Sequence, residues 1–229
     1  MQALQSVTNN RERESLILSI ASVTNAHSEF VDDLQLHVSQ AEVESLDALL
    51  LALGSLASKA DDDVQLDIAR FLINAASSSN LDTSTVVLIR AMGNTGSEEV
   101  VPFILSYVDS PAKKRRDAAL GALVKFTHLE QVLDDLRGLI RSGSDEELLN
   151  LVARTLIQGR AYADLMDIDT STISSHPILR TLVSAALSTN DTDLVRRVSV
   201  YLRNLGGDLA TSLLGQLYLR FRQGTDWDE

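Results

Sequence analysis

Cysteine is missing from all 229 residues. That absence removes disulfides, thiolate zinc sites, iron–sulfur clusters and cysteine nucleophiles together. It does not fix the compartment, because secreted proteins can also lack cysteine. Aromatic residues make up only 4% of the chain, too few for a platform on which nucleic-acid bases stack. Basic side chains are outnumbered, 20 against 32, for a net charge of −12. Phosphate backbones are held by basic surfaces, so broad nucleic-acid binding is not expected. Long apolar runs are absent too. The longest, Leu49-Leu50-Leu51-Ala52-Leu53-Gly54, is far short of the roughly 18 residues that span a bilayer. Met1-Gln2-Ala3-Leu4-Gln5 has neither the basic n-region nor the apolar core of a signal peptide. A soluble chain with no membrane span is the expectation.

What is present is helical periodicity. Apolar residues make up 45% of the chain, ample for a core. Leu46, Leu49, Leu50, Leu53 and Leu56 fall on one stripe of a helix. The same holds for Leu66, Ala69, Phe71 and Leu72; for Val86, Val87, Ile89 and Ala91; for Ala119, Ala122, Leu123 and Phe126; and for Leu148, Leu151, Val152 and Leu156. No long stretch alternates with period two. Ser39-Gln40-Ala41-Glu42 and Ser144-Asp145-Glu146-Glu147 fit the capping box that opens a helix. Ser110-Pro111 places a cap before a proline at the first helical position. Gly54, Gly93, Gly96, Gly143 and Gly206 are expected at or near helix ends, where a left-handed residue is easiest for glycine. The punctuation predicts roughly ten to twelve helices with short loops and one longer connection from Ala163 to Ser175.

The helices repeat. Leu49–Ser55 matches Leu88–Asn94 at an offset of 39, Leu123 lies 31 residues beyond Met92, and Leu156 and Leu202 continue at 33 and 46. Irregular periods of this size, two helices each, predict an all-α fold: a curved two-layer α-solenoid of HEAT-like helical hairpins. Residues 1–229 read as a single solenoid domain, of a kind that can be a piece of a larger protein. Charge divides unevenly along it. Residues 1–110 hold 5 basic and 16 acidic side chains, net −11, and residues 111–229 hold 15 and 16, net −1. Basic partners or neighbouring domains are expected on the first half.

No constellation for catalysis, cofactor or metal binding emerges. His27, His37, His128 and His176 lie in different segments, without the spacing that sets two imidazoles on one helical turn. Asp61-Asp62-Asp63 complements a helix dipole and lacks the spaced oxygens and glycine turn of a calcium loop. Gly93-Asn94-Thr95-Gly96-Ser97 lacks the Lys-Ser/Thr and the preceding strand of a phosphate loop; it reads as a tight turn capped by Ser97. Acidic pairs such as Asp32-Asp33, Asp134-Asp135 and Glu146-Glu147 diverge around their helices instead of converging on a substrate. A non-enzymatic role is expected. The one dense basic cluster is Lys113-Lys114-Arg115-Arg116, at a helix start where positive charge opposes the dipole. It reads either as a solvated face pairing with Asp109 and Asp117 or as a protein-docking patch. Arg196-Arg197 is a weaker second case. Asn190-Asp191-Thr192 satisfies the N-glycosylation pattern.

The phrases Leu51–Lys59 and Ile89–Gly96, with Val101-Pro102, Tyr107-Val108 and Arg115–Leu120 after them, resemble the helical domain of the large lipid transfer proteins. That family includes vitellogenin, apolipoprotein B and the microsomal triglyceride transfer protein. The likeness runs over about residues 40 to 130. It implies a right-handed double-layered solenoid that braces lipid-holding β-sheets and docks partner proteins, with lipid reached only through those sheets. It also implies passage through the secretory pathway. The alternative from the repeats alone is an independent HEAT-like intracellular adaptor that binds proteins or peptides on its concave face.

Overall fold

The computed structural model describes residues 28–40, 43–77, 85–142, 146–161, 176–188 and 191–222, with Ser15 and Ser19. Among these residues every regular element is a helix. The α-helices are α1 (Ser28–Gln40), α2 (Val43–Ala57), α3 (Asp62–Ser77), α4 (Thr85–Thr95), α5 (Val101–Leu105), α6 (Lys113–Leu123), α7 (Glu130–Arg141), α8 (Glu146–Gln158), α9 (His176–Ser188), α10 (Thr192–Leu205) and α11 (Gly207–Arg222). Short 3₁₀ turns at Glu98–Val100 and Val124–Phe126 extend the starts and ends of neighbours. The chain is an all-α protein of the α-solenoid class, built from stacked helical hairpins.

Two compact units are present, Met1–Phe126 and Thr127–Glu229. In the first, α2 packs on α4 and α4 on α6, forming one layer; α1 and α3 form the other and close over it. The second unit stacks α8, α9 and α11, with α7 against α8 and α10 against α9 and α11. The apolar stripes face inward as their spacing demands: Leu46, Leu49, Leu50, Leu53 and Leu56 are all buried. Each leucine so removed from water contributes about 1.5–3 kcal/mol.

Local chemistry sets the boundaries. Asp61 Oδ1 accepts from Val64 N at 3.1 Å, and Asp62 and Asp63 fill the first turn of α3, so the acidic triplet caps a helix. Asp191 does the same for α10, accepting from Asp193 N at 3.0 Å and Leu194 N at 3.1 Å. Gly96 and Gly206 take φ of +74° and +65°, as expected of glycines that end helices.

Several expectations are corrected. Gly54 and Gly93 fall in the last turns of α2 and α4, near the helix ends as expected, but the reason is not a left-handed backbone. A Cβ on Gly54 would stand 2.2 Å from Ala91 O, and one on Gly93 would stand 2.5 Å from Ala122 Cβ. Both are glycine because a neighbouring helix occupies the space. Ser39 lies in the last turn of α1 and its Oγ donates to Leu36 O at 2.7 Å, so it closes one helix and does not open the next. Helix α6 begins two residues after Pro111, with Ala112 at the cap and no side-chain cap bond; Ser110 Oγ accepts from Ala112 N at 3.3 Å. Ser97 precedes the 3₁₀ turn without a side-chain cap. Its N–H donates to Thr95 Oγ1 at 3.1 Å, which itself donates to Met92 O at 2.7 Å, so Thr95 holds that turn. Gly143, Ser144, Asn190 and the Ala163–Ser175 connection lie outside the described residues.

Candidate functional site: a basic helix edge and two grooves

Lys113, Lys114 and Arg115 open α6 and are exposed; Arg116 is half-buried and its Nη1 donates to Ser110 O at 3.4 Å. Among the described residues, Lys114 and Arg115 make no ion pair. Beside them, Asp117 Oδ1 is buried and accepts no hydrogen bond. Three cations thus crowd the positive end of a helix dipole, where like charge is unfavourable. The arrangement puts a dense positive edge in water.

The unit boundary redraws the charge map. Because the cluster precedes residue 126, the first unit holds 10 basic and 17 acidic residues, net −7, and the second 10 and 15, net −5. The separation of charge therefore lies inside the first unit, between the carboxylates of α1 and α3 and the basic start of α6. Lys125 stands apart from that edge. Its ammonium donates to Asn94 O at 3.2 Å, and partial burial holds it below the ordinary lysine range. Arg196 and Arg197 both reach Asp193, at 3.4 and 2.7 Å. The hydrogen bond from Arg197, helped by its charge and by Arg196, draws the Asp193 carboxyl below its usual range. That second basic pair is satisfied locally.

Two grooves were not legible as sites in the sequence. One, of about 290 Å³, runs between α1 and α3 and is lined by Val31, Asp32, Gln35, Asp67, Phe71 and neighbours. The other, of about 670 Å³, runs between α9 and α11 past Arg180, Ser184, Leu187, Ser212 and Gln216. A signal for the first existed: Val64, Asp67, Phe71 and Asn74 fall on one face of α3, mixing apolar and polar residues where a core face would be uniform.

Among the described residues no group of three His, Asp or Glu side chains is placed to hold a metal ion, and no helix is long and apolar enough to cross a membrane. His37 is half-buried in α1, His128 is exposed before α7, and His176 opens α9; His27 is outside the described residues.

A family model of HEAT repeats matches residues 69–157. The matched segment is HEAT-like. It takes in most of α3, then α4 to α6 with the basic edge, then α7 and nearly all of α8. No curated protein matches the chain.

Proposed function

We propose that this chain is a non-enzymatic HEAT-like adaptor whose stacked hairpins present surfaces to protein partners, with Lys113, Lys114, Arg115 and Arg116 as a docking edge for an acidic one. The observation that carries this reading is the location of exposed, dipole-opposed cations within the segment that matches HEAT repeats. HEAT arrays offer extended surfaces and few enclosed cavities, which suits protein recognition. The test is affinity capture from source cells with the full chain and with a K113E/K114E/R115E variant. Partners that bind the edge are lost from the variant while its circular dichroism is unchanged; an identical partner set overturns the docking edge.

A second reading, the sheet-bracing helical domain of a secreted vitellogenin-type protein, is favoured by the Leu51–Lys59 and Ile89–Gly96 phrases. Gly54 and Gly93 of those phrases are already required by helix contact, which any close stack of hairpins demands. This reading predicts glycan on Asn190 in protein isolated from its source, visible as a glycosidase-sensitive mass. Unmodified Asn190 favours the adaptor.

A further inference from the structure

The α1/α3 groove lies on the layer opposite the basic edge and carries its own chemistry. Its apolar surface comes from Val31, which is 3% exposed, and from half-buried Val64 and Phe71. Each wall adds an exposed carboxylate, Asp32 from α1 and Asp67 from α3, and Gln35 and Asn74 supply amides that can both donate and accept. The one cation of the lining, Arg70, is offset by Glu99, whose carboxylate is 3.9 Å from Arg70 Nε. Asp33 and Asp63 stand exposed on the same two helices. The groove is therefore largely polar and net negative, with an apolar patch at Val64 and Phe71.

Volume narrows the ligand class. About 290 Å³ is at the bottom of the roughly 300–1,000 Å³ range of small-molecule sites. It accommodates a side chain or two and excludes a cofactor. We infer that the α1/α3 groove docks a short basic segment of a partner protein, seating an aliphatic side chain on Val64 and Phe71 and a flanking Arg or Lys between Asp32 and Asp67. Amide groups of Gln35 and Asn74 then meet the backbone of the segment. Exposed ion pairs contribute little each, so affinity is modest, on the order of 100 μM, and falls with salt.

The test uses the full chain and a fluorescein-labelled Gly-Arg-Leu-Arg-Gly peptide, read by anisotropy, beside Gly-Glu-Leu-Glu-Gly and Gly-Arg-Ser-Arg-Gly. Saturable binding of the first is expected, with the other two at least about tenfold weaker. A D32N/D67N variant, isosteric at two exposed positions, should lose about tenfold while keeping its helicity. The K113E/K114E/R115E variant should bind as wild type, which separates this groove from the basic edge. Independently of any variant, amide chemical-shift changes should concentrate in residues 28–40 and 62–77. Equal binding of the leucine and serine peptides, indifference to D32N/D67N, no saturable binding, or shifts elsewhere each overturns the proposal.

Discussion

In Met1–Phe126, two glycines bring helices into contact at the backbone, Gly54 against Ala91 and Gly93 against Ala122. Thr127–Glu229 makes its tight contact against a side chain, Gly159 on Thr127. It also dresses its outer helices with ion pairs: Arg137 with Glu130 at 2.7 Å and Asp134 at 2.8 Å, and Arg197 with Asp193 at 2.7 Å. Such exposed pairs are worth only about 0.2–1 kcal/mol, so cohesion there rests on the buried stripes of α7, α8 and α10. A carbonyl such as Ala91 O cannot turn away from an added atom, whereas the outer atoms of Thr127 can rotate and leave only its Cβ in the way. Substitution at Gly54 is consequently expected to cost more than at Gly159.

The sharpest break of this contrast is Gly54→Ala. Its methyl would lie 2.2 Å from Ala91 O, so α2 and α4 must part, at about 3 kcal/mol or more. Urea titration of the full chain should show the loss; a change within about 0.5 kcal/mol would mean the helices are not in contact. Gly159→Ala comes next. Thr127 Oγ1 lies 2.0 Å from the new Cβ and can turn away, surrendering its 3.0 Å bond to Gly159 O, but Thr127 Cβ, at 2.7 Å, is fixed by its backbone, so the turn must also shift, for about 2–3 kcal/mol. Tyr201→Phe should act in the opposite sense. Tyr201 is 7% exposed and its hydroxyl has no hydrogen-bond partner, so removing the oxygen should gain about 1 kcal/mol. Burial also raises its pKa: the folded chain keeps the phenol proton after the unfolded chain has released it. Stability from this group is constant below about pH 10 and falls above it, and Tyr201→Phe should flatten that alkaline decline. The smallest effect is Gly121→Ala in α6, where nothing lies within 4 Å; a gain of about 0.5–1 kcal/mol is expected from helix propensity.

The helices and their buried faces were readable because a 3.6-residue period leaves a mark in one dimension. So was the capping role of Asp61, which acts within its own turn. Gly54 and Gly93 were readable as glycines with a purpose, but the purpose came from Ala91 and Ala122, residues 37 and 29 positions further on, and single-sequence spacing carries no such pairing. Ser39 satisfied a local capping motif, yet its hydroxyl serves Leu36 O in the helix before. Helix α8 shows the limit from another side. Gly159 stands where a terminating glycine is expected, yet it is Arg160 that takes the positive φ, 61°. The closing bonds run from Arg160 N to Ile157 O and from Ala161 N to Leu156 O, the Schellman pattern. Glycine was needed one position earlier, against Thr127, so arginine accepts the left-handed backbone. Arg160→Gly should therefore stabilise by about 1 kcal/mol, measurable in the same titration. The basic cluster was legible as charge, and the exposure of Lys113, Lys114 and Arg115 only in three dimensions. The α1/α3 groove needed two helices at once.

Lysine is scarce in this chain: Lys59, Lys113, Lys114 and Lys125 are all there are. Two of the four stand side by side, exposed, at the start of α6. Lys59 and Lys125 are exposed as well, so amine-reactive chemistry has few targets and half of its lysine targets lie on the basic edge. A sensor surface or dye coupled through primary amines would therefore often attach at, and neutralise, that edge. Partners of that edge would look weak on such a surface and regain strength on a chain captured by a terminal tag.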